Sequence, residues 1–224
     1  MPSNFKLIKN SVFKDLMLIK WLILDAMGVI FEVGDDLNEL LIPFLQKRNA
    51  KFSAELIRKL YLEASLGKFT SREFWNRLGF NKEYPTIERE YLGTCFRIDT
   101  KFFDVAKELK NHYSLALLSN DVKEWSNYLR NIFDINKFFD IVIVSGDVGF
   151  RKPDNQIFKI LLTRIDCPSK NCVFIDDNLR NIHSAAKLGF NTIRFVRKGI
   201  KTTFSTEFKV SNFIELLGVL ENFN

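Results

Sequence analysis

The sequence predicts an α/β protein, a doubly wound parallel sheet with a smaller all-helical unit, and three observations predict it. From about residue 98 onward, helical periodicity alternates with apolar runs of strand length, the pattern of a parallel sheet built from crossover units. Between the first apolar run and that alternation lie roughly sixty residues of helical periodicity with no strand signal. Polar residues able to do chemistry then recur directly after the apolar runs, where open α/β sheets bind ligands.

The first strand is Trp21-Leu22-Ile23-Leu24, followed by Asp25 and, three residues on, Gly28, which lets the backbone turn sharply. Leu37, Leu40, Leu41, Phe44 and Leu45 fall at helical spacing, and so do Leu56, Ile57, Leu60 and Tyr61. Thr70-Ser71-Arg72-Glu73 reads as a capping box that opens a helix carrying Phe74, Trp75 and Leu78 and stopping near Gly79. Another helix spans about Thr86 to Cys95. The alternation then begins with a helix at 101–111 and the strand Leu115-Ala116-Leu117-Leu118, ending at Ser119-Asn120. A helix at 122–132 leads to Ile141-Val142-Ile143-Val144, ending at Ser145-Gly146. A helix at 154–165 leads to Cys172-Val173-Phe174-Ile175, ending at Asp176-Asp177. A helix at 179–187, closed by Gly189, leads to Thr192-Ile193-Arg194-Phe195, and an amphipathic helix follows around 211–220. The expected division is a core domain of 1–34 with 98–224 and a helical domain of 35–97. Residues 1 to about 16 read as a mixed basic and apolar leader.

Composition bounds the class. With 224 residues, 46% hydrophobic and 27% charged, the chain can bury a full core plus a smaller second unit. It has no apolar run of about eighteen residues, and its start lacks the apolar core of a secretory signal, so no membrane span and a cytoplasmic location are expected. Cys95, Cys167 and Cys172 form no CxxC pair, which points to neither a disulfide framework nor a zinc site. The net charge of +6 is spread along the chain. That distribution suits a solvated basic surface and a small anionic substrate, with no nucleic-acid partner, and a monomer or homodimer is expected.

The residues at the strand ends carry the chemistry. Asp25, Ser119-Asn120, Asp176-Asp177 and Lys152, in the loop GDVGFRKPD, converge on one sheet edge. Taken singly, an Asp after a strand is a turn or capping residue, and Ser-Asn is a helix cap. As a set they demand charge compensation, because three carboxylates held together repel unless a cation, the Lys152 ammonium or raised pKa values neutralise them. Mg²⁺ takes one or two carboxylates and meets substrate phosphate. Lys152 holds Asp25 ionised, and Ser119 and Asn120 can donate to phosphate oxygens, a set suited to phosphoryl transfer to an aspartate. His112 and His183 are expected to be structural or exposed. Phe69, Phe74 and Trp75 are expected to be packing residues.

The chain resembles the haloacid dehalogenase (HAD) superfamily over nearly its whole length. LDAMGVIF is similar to the first motif, LLSND to the second, SGDVGFRKPDNQIF to the third and VFIDDNLRNIHSAAKLG to the fourth, in that order. The helical segment between the first and second motifs resembles the family's helical cap. The resemblance implies a Rossmann-like core, a hydrolase, and a phosphorylated metabolite as substrate with Mg²⁺ as cofactor. It implies Asp25 as nucleophile, the Met27 backbone carbonyl and Asp177 as metal ligands beside Asp25, and Ser119 with Asn120 as phosphate-binding residues. Lys152 would pair with Asp25 and the substrate. Asp176, at a position often Gly, and Asn181, at one often Asp, are secondary.

Met27 departs from the pattern. Phosphatases of this superfamily usually carry an Asp there, which protonates the leaving oxygen and then activates water. A thioether exchanges no proton, and general acid–base catalysis contributes about 10²–10⁴-fold. Three readings follow: a Mg²⁺-dependent phosphohydrolase that is slow or restricted to good leaving groups; a metal-independent dehalogenase-like hydrolase working through an aspartyl ester; and a catalytically weak phosphate-binding pseudoenzyme.

Overall fold

The computed structural model describes residues 18–197 and 208–221, so the leader read at 1–16 lies outside the described residues. Six strands form one parallel sheet: β1 (Trp21–Leu24), β2 (Ser114–Ser119), β3 (Ile141–Val144), β4 (Cys172–Asp176), β5 (Asn191–Phe195) and β6 (Lys209–Val210). Their spatial order is β3-β2-β1-β4-β5-β6. The chain therefore builds one half of the sheet outward from β1, crosses back to β4, and builds the other half. That reversal leaves a crevice at the carboxyl ends of β1 and β4.

The strands are nearly continuous apolar runs because both faces are covered. Leu22, Leu24, Leu115, Leu117, Val173 and Ile175 face one buried cluster, while Ile23, Ala116, Leu118, Cys172 and Phe174 face the other. The second cluster is closed by Ile157, Phe158 and Leu161 of the helix Asn155–Ile165 and by Ile182 and Ala185 of the helix Leu179–Lys187. The first is closed by Phe102 and Val105 of Lys101–Lys110 and by Phe213 and Leu216 of Phe213–Leu220.

Between β1 and Lys101–Lys110 the chain is helical. A π-helical turn, Leu37–Leu41, runs straight into Ile42–Arg48, and then come Ala54–Ala64, Ser71–Arg77 and Thr86–Cys95. Both halves of the Thr70–Glu73 capping box form, and Gly79, at φ +84°, follows the end of that helix. The two connections to the sheet pair with each other: Glu32 N–H donates to the Arg97 carbonyl at 3.0 Å and Asp99 N–H to the Ile30 carbonyl at 3.0 Å.

An aromatic cluster fastens this helical segment to the body. Trp125, on the helix Lys123–Ile132, has its ring 5.2 Å from Phe74, 5.4 Å from Tyr91 and 6.0 Å from both Tyr61 and Trp75. Both indole N–H groups, of Trp75 and Trp125, donate to Glu88 Oε2 at 2.8 Å. Phe69, Phe74 and Trp75 are buried, and both histidines are exposed. Among the described residues no helix is long and apolar enough to cross a membrane.

Candidate active site

Strand register brings the chemistry together. Leu24 of β1 lies level with Leu117 of β2 and Ile175 of β4, so Asp25 and Asp176 leave adjacent strands side by side, with Ser119 at the end of β2. The Asp25 N–H continues the ladder to the Ile175 carbonyl at 2.9 Å. The chain then turns back tightly, with Gly28 at φ +74° and its N–H donating to the Val33 carbonyl at 2.6 Å. A Cβ on Gly28 would lie 2.3 Å from Asp177 Oδ2, and one on Gly34 would lie 2.5 Å from it. These two glycines leave the room that the Asp177 carboxylate occupies.

Lys152 is the hub. Its buried ammonium meets Asp25 Oδ1 at 2.7 Å, Asp176 Oδ2 at 2.8 Å and the Leu118 carbonyl at 2.7 Å, which uses all three of its donors. The Ala26 N–H also donates to Asp25 Oδ1, at 2.7 Å. Among the described residues nothing donates to Asp25 Oδ2, so one oxygen is anchored and the other is left to react.

The neighbouring groups divide into those already engaged and those unclaimed. Both oxygens of Asp176 are engaged, by Lys152, by the Asn178 N–H at 2.8 Å and by Asn181 Nδ2 at 3.0 and 3.1 Å. Asn181, secondary in the sequence pattern, thus orients Asp176. Asn120 is also engaged: its amide donates to the Lys152 carbonyl at 2.8 Å and accepts from the Lys152 N–H at 2.7 Å. The expectation of Asn120 as a phosphate donor therefore meets a side chain that instead fixes the lysine loop. Ser119 Oγ, by contrast, is buried with no hydrogen-bond partner, and no N–H among the described residues donates to the Met27 carbonyl.

Asp25, Asp176 and Asp177 offer oxygens within 4.8 Å of one another. Burial pushes the Asp25 carboxyl well above the usual carboxylate range, against the pull of Lys152, and the charges of Asp176 and Asp177 add to the rise. Asp177 is pushed up to about 7 by burial and then by Asp176. Burial alone would lower Lys152, but the charges of Asp176 and Asp25 outweigh it and hold the ammonium protonated. With one ammonium against three carboxylates, the full ionised set has an excess of two negative charges. A divalent cation cancels that excess and restores the ionised forms. The unclaimed Met27 carbonyl, Asp25 Oδ2 and Asp177 are hard oxygen donors of the kind Mg²⁺ takes.

The crevice opens into a cavity of about 440 Å³ lined by Asp25, Met27, Asn120 and Asp177 and, from the helical segment and the lysine loop, by Asp36, Tyr61 and Arg151. Sequence reading missed Tyr61 and Arg151, whereas Asp36 falls in the stretch after Gly34 that the sequence places facing the site. Arg151 was signalled only by its place before Lys152. The stretch from Gly67 to Ser71 does not line the cavity. Gly67 instead rests against Gly146, where a Cβ would come within 2.5 Å of the Gly146 carbonyl oxygen.

Known proteins are similar to this chain in sequence and in fold. The chain is 30% identical over 182 residues to drimenol cyclase drtB of Aspergillus calidoustus, a match that takes in 76% of this chain and 34% of the cyclase. The chain thus spans about a third of that relative's length. It is 26% identical over 191 residues to D-ribitol-5-phosphate phosphatase of Bacteroides thetaiotaomicron, covering 79% of this chain and 92% of the phosphatase. A HAD family enzyme of Bacteroides thetaiotaomicron, solved with magnesium and inorganic phosphate, superposes with a TM-score of 0.67 at 22% identity, over 83% of this chain and 97% of that one. The family model for haloacid dehalogenase-like hydrolases matches residues 19–189. The chain therefore belongs to the haloacid dehalogenase-like hydrolase family.

Proposed function

We propose that the protein is a Mg²⁺-dependent phosphohydrolase acting on a small phosphorylated metabolite, with Asp25 as the nucleophile. The observation that carries this reading is the division of labour at Asp25: Lys152 and the Ala26 N–H bind Oδ1 and Oδ2 stays unengaged, while the Ser119 hydroxyl at the end of the neighbouring strand is partnerless. The Asp25 carboxylate, the Met27 carbonyl and Asp177 would hold the metal. Bound there, Mg²⁺ supplies charge neutralisation to the incoming phosphate and to the carboxylates. Ser119 donates to a phosphate oxygen and Lys152 balances its charge, while Asn120 and Asp176 keep Lys152 in place. Asp25 Oδ2 attacks phosphorus to give an aspartyl-phosphate, which water then hydrolyses. In this reading 1–34 with 98–224 is the core domain and 35–97 a cap that closes over the substrate.

The D-ribitol-5-phosphate phosphatase and the magnesium- and phosphate-bound HAD family enzyme named above support phosphoryl transfer, and the excess of carboxylate charge supports a metal. A metal-independent dehalogenase has no need of the paired Asp176-Asp177. Met27 removes the usual proton relay, so substrates that leave without protonation should react most readily. Acetyl phosphate and aryl phosphates are the first test. Turnover is expected only with Mg²⁺, and Asp25→Asn should lower it at least about 10³-fold. Metal-independent turnover, or chloride release from 2-haloacids in the presence of chelator, would remove the phosphatase reading. Mg²⁺ and phosphate binding without turnover would select the pseudoenzyme.

A further inference from the structure

We propose that Asp36 carries out the proton transfers that the Met27 side chain cannot, so that the site also cleaves phosphate esters with poor leaving groups. The proposal rests on the phosphohydrolase reading and adds to it the source of the leaving-group proton.

Few ionisable groups line the cavity. Beyond the groups already assigned to metal and phosphate, its walls offer Asp35, Asp36, Glu39, Tyr61 and Arg151 as ionisable side chains. Asp35 and Glu39 are exposed and engaged with each other's backbone and with Asn38: Asp35 accepts from the Asn38 N–H at 3.0 Å and from its amide at 2.7 Å, and Glu39 accepts from the Asp35 N–H at 3.3 Å. Arg151 is engaged elsewhere, donating to Ser65 Oγ. Tyr61 is a buried phenol, pushed well above its ordinary range by burial and by the nearby charge of Asp36, too weak an acid for the task. Asp36 remains. It is buried, its Oδ2 receives the Tyr61 hydroxyl at 3.2 Å, and no side chain among the described residues engages Oδ1.

Its surroundings suit a relay. Tyr61 on Ala54–Ala64, Arg151 on the lysine loop, Asp121 after β2, Tyr91 on Thr86–Cys95 and the adjacent Asp35 are the charged or titratable groups that face it. Burial raises the Asp36 carboxyl to about 6, against the Tyr61 hydrogen bond and the Arg151 charge. Both protonation states are then available near neutral pH, as an acid that must next act as a base requires.

The steps balance. As Asp25 Oδ2 bonds to phosphorus, the P–O bond to the leaving group breaks, and its electron pair, with the Asp36 proton, leaves as an alcohol. Water then bonds to phosphorus, its proton passes to the Asp36 carboxylate, and the aspartyl–phosphorus electron pair returns to Asp25. The products are one alcohol and one phosphate.

The experiment compares Asp36→Asn with wild type, in Mg²⁺, on glycerol phosphate and on acetyl phosphate. On glycerol phosphate kcat/KM should fall about 10²–10⁴-fold, and the decline of the wild-type value above pH about 6 should disappear. On acetyl phosphate, which leaves without a proton, kcat/KM should hold within about threefold. Its kcat should fall and phosphorylated enzyme should accumulate, because the water step has lost its base. Preserved acetyl phosphate kcat/KM also demonstrates a folded variant. Tyr61→Phe, which removes a hydrogen bond to the ionised carboxyl, should move the glycerol phosphate profile to higher pH. Adding Met27→Asp to Asp36→Asn should recover glycerol phosphate turnover at least tenfold. Equal losses on both substrates, or a wild type active on acetyl phosphate alone, would overturn the role of Asp36. A wild type inactive on both would instead overturn the phosphohydrolase reading, and the Asp36 proposal with it.

Discussion

Lys152 is the residue on which the site turns, because one buried ammonium serves two carboxylates from adjacent strands and a strand carbonyl. Removing one partner of a buried ion pair leaves an uncompensated charge, which typically costs about 3–5 kcal/mol, whereas replacing the whole set by apolar groups need not. Lys152→Met should therefore lower unfolding free energy by about 3–5 kcal/mol in chemical denaturation, and phosphatase activity should vanish with it. Asn120 supports the same residue from behind. Its two hydrogen bonds to the Lys152 backbone make it a positioning residue, a role invisible in the sequence, where Ser119-Asn120 reads as a pair of phosphate donors. Asp25, Ser119, Lys152 and Asp177 were legible because each follows a strand or sits in the loop after one, and a parallel sheet gathers its strand ends into one crevice. Tyr61 and Arg151 were not, and Asp36 was marked only by its stretch and not as a residue. They meet only when the helical segment docks on the sheet, and no periodicity encodes that docking.

At the scale of elements, the helices and strands followed from local pattern: alternation of apolar runs for the sheet, the Thr70–Glu73 box for the helix start, Gly79 for its stop. The seam between the helical segment and the sheet did not, since Trp125 belongs to the helix after β2 yet packs among Tyr61, Phe74, Trp75 and Tyr91. Truncating a buried aromatic costs about 3–5 kcal/mol. Trp125→Ala should cost that much in thermal or chemical unfolding. It should also displace Tyr61, which lines the cavity and whose ring leans on the same indole. A surface control such as Lys170→Ala should stay within about 0.5 kcal/mol.

For the whole molecule, burial of several carboxylates links stability to both pH and metal. Asp25, Asp36, Asp121 and Asp177 all have carboxyls raised by burial, Asp36 to about 6 and Asp177 to about 7. A raised carboxyl holds its proton in the folded state. Its contribution is thus fully present below the unfolded value of about 4 and is lost as pH rises through the folded value. In chelator, Tm should decline between pH 5 and 8. If Mg²⁺ is held as proposed, it favours the ionised forms of Asp25 and Asp177, and the Tm increase it produces should grow across that interval, as a calorimetric series with and without the ion would record. The same molecule holds its own optical gauge. Trp75 and Trp125 stand 6.0 Å apart with their N–H groups on one Glu88 oxygen, one indole on the helical segment and the other on the body. Any parting of the two layers hydrates both indoles at once and breaks their electronic coupling. With Trp21 replaced by Phe, their emission colour and yield would report, without a label, any separation of the two layers.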